Sequence, residues 1–255
     1  MDLRLTFNED ILNYDKMRPT YVRELYNDVI LFSNLNSSKR ALEIGIGTGQ
    51  ATQPFLDTGC KLTAVELGKD MAQFTKSKFS KYSKFDVINS DFETANLDTN
   101  SYDLVYSATA FHWIQQEIGY TKALDILKSS GVLALFWNHT YPTKNELYFA
   151  MQEVYDKYRP ANRATVHKLC EENCLKTVEA IEGYGFTDVD YKLYNQPRSF
   201  NAPQYISLLN TYSDHRAMQE EVRTHFEKEL TDAINNFGGK IVVNDNIDLY
   251  LARKP

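Results

Sequence analysis

Three glycines at alternate positions mark the most chemically suggestive stretch of this sequence, Glu43-Ile44-Gly45-Ile46-Gly47-Thr48-Gly49-Gln50, which follows a short apolar run. Missing Cβ atoms let backbone turn tightly and let a ligand press against it. The spacing differs from the dinucleotide fingerprint, in which the last two glycines stand three apart and a helix N-terminus cradles pyrophosphate. A ligand without phosphates needs close approach more than an anion site. Two acids follow at matching places. Glu66 ends the run Lys61–Glu66, where a carboxylate can accept both hydroxyls of a ribose lying across the glycine loop. Asp91 follows Phe85–Asn89, within reach of an exocyclic amine. Each acid alone would also serve as a helix cap or a solvated loop residue. The glycine loop and the two acids, placed at three successive segment ends, together point to a nucleoside-like ligand.

Those positions require a frame. From Lys39 to Asn138, β-rich runs (Arg40–Ile44, Lys61–Glu66, Phe85–Asn89, Tyr102–Tyr106, Val132–Trp137) alternate with stretches of helical spacing such as Asp70–Tyr82 and Gln115–Lys128, with Gly131 as a helix stop. Strand–helix repeats predict a parallel, doubly wound sheet, and ligands bind such sheets at the carboxyl ends of the strands. Ahead of it, Pro19–Phe32 predicts a helix with Pro19 in its first turn. After Asn138 the rhythm changes. Residues 139–182 read as mostly helical, interrupted at Pro142 and Pro160, and Gly185–Tyr194 and Lys240–Arg253 alternate like strands. Pro203–Asn236 reads as one or two helices. The last two strands predict an antiparallel edge that completes a mostly parallel seven-stranded α/β sheet. One domain over 1–255 is expected: an N-terminal helical cap (1–38), a ligand-binding core (39–138), helical insertions (139–182 and 195–238) and final strands (183–194 and 239–255).

The 255 residues carry 28 Lys+Arg against 34 Asp+Glu, a formal charge of −6, which makes nucleic acid a poor partner because phosphate neutralisation favours a basic surface. The longest apolar run, Val132–Trp137, falls far short of the roughly 20 residues needed to span a membrane. The N-terminus lacks a basic start followed by an apolar block. Three cysteines, Cys60, Cys170 and Cys174, suit a reducing compartment, so a cytoplasmic monomer or homodimer is expected. His167, Cys170 and Cys174 have helical spacing, but without a second ligand pair they read as ordinary helix positions rather than a metal site.

Taken together, Glu43-x-Gly45-x-Gly47-x-Gly49, Glu66, Asp91 and Asp103-Leu104-Val105 resemble the class I S-adenosylmethionine-dependent methyltransferases of the type 11/25 group, which includes small-molecule enzymes such as trans-aconitate methyltransferases. The resemblance spans residues 14 to about 137. It implies S-adenosylmethionine as cofactor, with Glu43, Gly45, Gly47, Gly49 and Ser107 around its methionine part. It also implies Glu66 and Leu67 at the ribose, and Met71, Asp91 and Phe92 at the adenine. Tyr14-Asp15-Lys16-Met17-Arg18-Pro19 is similar to the family's N-terminal element, which implies that Tyr14 lies at the cofactor and that Arg18 meets the methionine carboxylate, a bidentate task for a guanidinium. Phe111-His112-Trp113 resembles the segment that shields the sulfonium and faces the methyl acceptor.

Methyl transfer from a sulfonium is an in-line displacement in which the protein aligns the partners and excludes water. A base is needed only when the acceptor must lose a proton. His112 is the best-placed residue for that task, or for orienting the acceptor, with Trp113 beside it. Phe111, Trp137, Asn138, Arg198 and Tyr212 are expected to line the pocket of a small-molecule acceptor, with Arg198 holding a carboxylate or lying at the surface. Three alternatives share parts of this pattern. The glycine spacing and Asp91 disfavour a nicotinamide oxidoreductase. A nucleic-acid methyltransferase would carry an Asn-Pro-Pro-Tyr-like element where Ser107-Ala108-Thr109-Ala110 stands. A non-catalytic S-adenosylmethionine-binding regulator would keep the same cofactor positions.

Overall fold

The computed structural model describes residues 10–159 and 169–255. Seven strands form one sheet in the order β3-β2-β1-β4-β5-β7-β6. They are β1 (Arg40–Ile44), β2 (Lys61–Glu66), β3 (Phe85–Asn89), β4 (Tyr102–Ala108), β5 (Leu127–Pro142), β6 (Thr187–Asn201) and β7 (Lys240–Arg253). Pairing from β3 through β5 is parallel, while β7 runs antiparallel to both of its neighbours, β5 and β6. The sheet is therefore the expected one, with a single reversed strand. Because β1 is flanked by β2 on one side and β4 on the other, the crossovers diverge there and leave a crevice at the strand ends.

Ten α-helices complete the described residues: α1 (Ile11–Met17), α2 (Arg23–Ser33), α3 (Thr52–Leu56), α4 (Lys69–Lys78), α5 (Gln116–Ile126), α6 (Glu146–Tyr158), α7 (Glu171–Gly183), α8 (Ala202–Leu209), α9 (Ser213–Arg216) and α10 (Glu220–Asn236). Apolar side chains on both sheet faces are buried under them. One cluster joins Leu25 and Val29 of α2 to Phe55, Tyr106 and Phe136; the other joins Ile44 and Leu135 to Tyr120, Ala123 and Ile181. A separate cluster of Leu147, Met151, Phe226, Leu230 and Ile234 holds α6 and α10 together beyond the strand ends.

Several element boundaries depart from expectation. Pro19 lies before α2, not in its first turn: the residue preceding a proline avoids helical backbone, so Arg18 turns extended (ψ 141°) and closes α1. Helix α5 stops at Ile126, because Leu127 is fully buried and pairs with Tyr102; a register shift then carries the chain through Ser130 (φ 60°) to regular pairing at Val132. Residues 139–142 continue β5 against β7 instead of starting a helix. Likewise 195–201 remain in β6, paired residue by residue with 240–246 of β7, so the second insertion becomes helical only at Ala202. There Asn201 and Gln204 form a reciprocal cap and a proline occupies the first turn of α8. Pro160 and His167 lie outside the described residues.

The end of β1 carries a buried acid. Glu43 is 1% exposed, and its Oε2 accepts hydrogen bonds from Tyr106 Oη (2.7 Å) and Thr52 Oγ1 (2.8 Å). Burial, only partly offset by these donors, pushes its carboxyl up from 4.5 to about 8. The folded state therefore holds this proton more tightly than the unfolded chain, and its contribution to stability is present below pH 4.5 and lost as pH rises towards 8. Glu43→Gln, which stays neutral, is expected to flatten the fall in Tm across that window by several degrees relative to the parent; parallel Tm–pH curves would show that Glu43 is ionised in the fold.

Candidate functional site

A cavity of about 1300 Å³ opens at the carboxyl ends of β1, β2 and β4 and continues under α6 and α8. Its floor is the glycine loop, whose three glycines answer three different constraints. All have left-handed backbone, with φ of +69°, +57° and +83° at Gly45, Gly47 and Gly49. A Cβ on Gly45 would stand 2.5 Å from that of Ala110, and one on Gly49 would stand 2.4 Å from the Phe79 ring, so these two let the loop pack against its own protein. At Gly47 the nearest atoms to a Cβ would be 3.8 Å away, on Tyr14, and the space belongs to the cavity. Gly49, expected at the cofactor, is not among the residues that line the cavity.

Gly47 is held from both sides. Its N–H donates to Glu66 Oε2 (2.8 Å), and its carbonyl accepts from Thr75 Oγ1 of α4 (2.7 Å). The other carboxylate oxygen of Glu66 accepts from the Gly68 N–H (2.8 Å). Burial raises the Glu66 carboxyl above its usual range against the lowering effect of these amides. A carboxylate offers about four lone-pair positions, so two amide bonds leave capacity for ligand hydroxyls. Lys78 adds a further tie, donating to Thr48 O (2.9 Å) and pairing with Asp15 of α1 (2.6 Å). Asp91 lines the cavity from the end of β3 while its Oδ1 caps the following turn, accepting from the Thr94 N–H (2.6 Å). Leu67, Met71 and Phe92 complete that side.

Across the loop, the Arg18 guanidinium lies over the rings of Tyr14 (4.9 Å) and Tyr212 (4.5 Å) and donates to Thr211 O (3.1 Å), fastening the N-terminal segment to the end of α8. All three line the cavity. After β4 the chain passes through Thr109, whose φ of +53° is a costly conformation for a β-branched residue. It is held there by an N–H bond to Phe136 O (2.8 Å), an Oγ1 bond shared with Tyr21 Oη (2.7 Å), and the Asn138 N–H (3.2 Å). The bend aims the short 3₁₀ turn Phe111–Trp113 so that His112 and Trp113 face the cavity.

Four other expected positions are placed elsewhere. Phe111 is 3% exposed and packs on Tyr120 at 4.9 Å under α5, since a three-residue turn with two outward side chains leaves the first pointing inward. Ser107 is fully buried and donates to Ile44 O on the neighbouring strand (3.0 Å). Trp137 does not reach the cavity; its indole stacks edge-on to Tyr250 and donates to His112 Nδ1 (3.1 Å). Arg198 is neither a carboxylate clamp nor a solvated surface residue: it is ion-paired with the fully buried Asp245 and donates to Met17 O. Asn138 lines the cavity, and both heteroatoms of its side-chain amide are buried without a hydrogen-bond partner.

The insertions contribute groups that spacing does not reveal. Arg159 at the end of α6 donates to Asp214 (2.6 Å) and to His215 Nε2 (2.9 Å) on the cavity wall. Accepting from a guanidinium requires a neutral imidazole, and burial pushes His215 down to about 4. Tyr155 and Tyr205 stand beside them. Among the described residues no cluster of His, Cys, Asp and Glu could hold a metal ion, and no helix is long and apolar enough to cross a membrane.

Comparison with known proteins agrees with this geometry. A methyltransferase-domain family model, type 11, matches residues 42–135, the stretch from β1 into β5. An uncharacterized methyltransferase of Schizosaccharomyces pombe is 26% identical over 238 residues, covering 90% of this chain and 87% of its own. A Saccharomyces cerevisiae protein named as a probable S-adenosylmethionine-dependent methyltransferase is 29% identical over 160 residues, or 60% of this chain and 53% of its own. In fold, the chain is similar to the solved structure of Haemonchus contortus phosphoethanolamine N-methyltransferase 2 in complex with S-adenosyl-L-methionine, with a TM-score of 0.56, 16% identity, and coverage of 97% of this chain and 57% of that one. With the strand order, the glycine loop and these matches in hand, the chain is similar to the class I S-adenosylmethionine-dependent methyltransferases of the type 11 group.

Proposed function

We propose that the protein transfers the methyl group of S-adenosylmethionine to a small-molecule acceptor, and that the accepting atom is a carboxylate oxygen. One observation carries the reading: a glycine whose missing Cβ would meet nothing nearer than 3.8 Å, clamped by Glu66 and Thr75, forms the floor of a cavity of about 1300 Å³. Pockets for a single drug-sized ligand run to roughly 1,000 Å³, so this one suits a cofactor and an acceptor together.

The residues present fit the cofactor. Gly45 and Gly47 would take its methionine part, and Glu43 would lie beneath. Glu66 would take the ribose hydroxyls. Asp91 would receive the adenine amine, with Leu67, Met71 and Phe92 packed around the base. Tyr14 and Arg18 would close over the carboxylate end. Bound there, the cofactor would supply a methyl group already activated on a sulfonium. The protein's own part is alignment and exclusion of water by α1, α6 and α8. Trp113 and the tyrosines of the wall present ring faces that favour positive charge.

On the acceptor side, His112, Asn138, Tyr212 and Arg159 line the chamber. Arg159 takes the place intended for Arg198; two of its five N–H donors are engaged by Asp214 and His215. An ionised carboxylate needs no deprotonation before it reacts, so it makes no demand on His112 as a base.

Three outcomes check the reading. Glu66→Gln, which leaves one backbone amide without its acceptor and removes a charge, is expected to weaken S-adenosylhomocysteine binding in calorimetry by about 10- to 100-fold. Gly47→Ala is expected to lose affinity with Tm within a few degrees of the parent, whereas Gly45→Ala should lower Tm by more, because its Cβ meets Ala110; the reverse order would move the ligand away from Gly47. Incubated with labelled S-adenosylmethionine and a panel of small carboxylic acids and phenols, the protein should form methyl esters. Ether products alone would overturn the carboxylate assignment.

A further inference from the structure

Trp137 was expected at the acceptor but lies behind His112, and this displacement carries information. The indole Nε1–H is only a donor, and it stands 3.1 Å from His112 Nδ1. Nδ1 must therefore accept. A neutral imidazole that accepts at Nδ1 carries its hydrogen on Nε2. His112 lines the cavity and Trp137 does not, and Nε2 has no hydrogen-bond partner among the described residues. The nitrogen left for a bound molecule is thus the one bearing the proton.

The surroundings keep the ring neutral and the indole in place. Desolvation and the neighbouring His139 push the His112 imidazolium below the ordinary histidine range. The indole itself is held edge-on against Tyr250, at 5.9 Å, and the Tyr250 hydroxyl donates to Asp248 Oδ2 (3.0 Å). Asp248 Oδ1 in turn engages His139 Nε2 (3.0 Å). The Trp113 ring also lies beside His112, with centroids 5.2 Å apart. β5 thus supplies the indole, and the end of β4 supplies the imidazole that it orients.

We infer that Trp137 is a positioning residue that fixes His112 in the Nε2–H tautomer, so that His112 offers the methyl acceptor a hydrogen-bond donor and not a base. The inference rests on the methyltransferase reading for the identity of the bound molecule, and on the Trp137–His112 contact alone for the tautomer. It selects among acceptors. An atom that already carries a lone pair and no proton, such as a carboxylate oxygen, gains alignment from the donor. A neutral alcohol or phenol gains no route for its proton at His112.

The test needs no acceptor. In protein labelled with ¹⁵N-histidine, with the His112 signals assigned by their loss in His112→Gln, Nδ1 is expected to resonate as an unprotonated ring nitrogen and Nε2 as a protonated one near neutral pH. Trp137→Phe should convert this single tautomer into a mixture while S-adenosylhomocysteine binding in calorimetry stays within about threefold, which shows that the variant is folded. An Nδ1–H tautomer in the parent, or an unchanged single tautomer in Trp137→Phe, would overturn the inference. Absence of S-adenosylhomocysteine binding by the parent would instead sink the proposed function and leave the tautomer result readable. Where a methylated product is found, His112→Gln, which keeps a donor and cannot act as a base, should recover most of the turnover lost in His112→Ala; equal losses of about 100-fold or more in both would mark a base.

Discussion

The carboxylate of Glu66 bridging the amides of Gly47 and Gly68 is the contact on which the site depends. A loop of alternating glycines has many accessible conformations, and fixing each residue costs about 1–2 kcal/mol of backbone entropy. One buried acid at the end of β2, with Thr75 reaching from α4, sets both peptide groups of Gly47. The loop is thereby pre-shaped, and a ligand laid on it need not supply the ordering. The same acid that would receive a ribose also builds the surface on which the ribose would lie.

Around that contact the molecule divides its labour between the ends of the strands and the segments that cover them. The parallel half of the sheet brings Glu43, Glu66, Asp91 and the 109–113 turn to one edge, because every parallel strand points its carboxyl end the same way. The antiparallel half does something different. Strands β6 and β7 run 15 and 14 residues, and their far ends carry α8 and the part of the cavity lined by residues 240–243. Arg198 belongs to this scaffold: paired with the buried Asp245, it ties β6 to β7 and, through Met17 O, to α1. Breaking a buried ion pair by removing one partner is costly, because the other charge is left buried and uncompensated.

Cost and compensation are also visible after β4. Thr109 adopts a backbone conformation that β-branched residues rarely take, and three hydrogen bonds to neighbouring segments hold it there. The return is direction: with that bend, one residue of the Phe111–Trp113 turn enters the core and two face the cavity. The orphaned Asn138 amide lies in the same corner, where the ends of β4 and β5 meet.

Local sequence was enough for the frame. Apolar runs with strand-like spacing, separated by helical periodicity, specify a parallel sheet, and glycines at alternate positions followed by acids at the next two strand ends mark the rim of the cavity, because period and strand order are properties of near neighbours in the chain. Tertiary packing decided the rest. Which glycine is packed against protein depends on Ala110 and Phe79, which are 65 and 30 residues away from Gly45 and Gly49 respectively. Whether Trp137 touches an acceptor or a histidine depends on how β5 lies beside the end of β4. Arg159 and His215 meet across 56 residues, and Arg198 is claimed by a strand that follows it. Hydrogen-bond partners and burial of a side chain are set by what folding brings alongside, and no spacing within the chain records that.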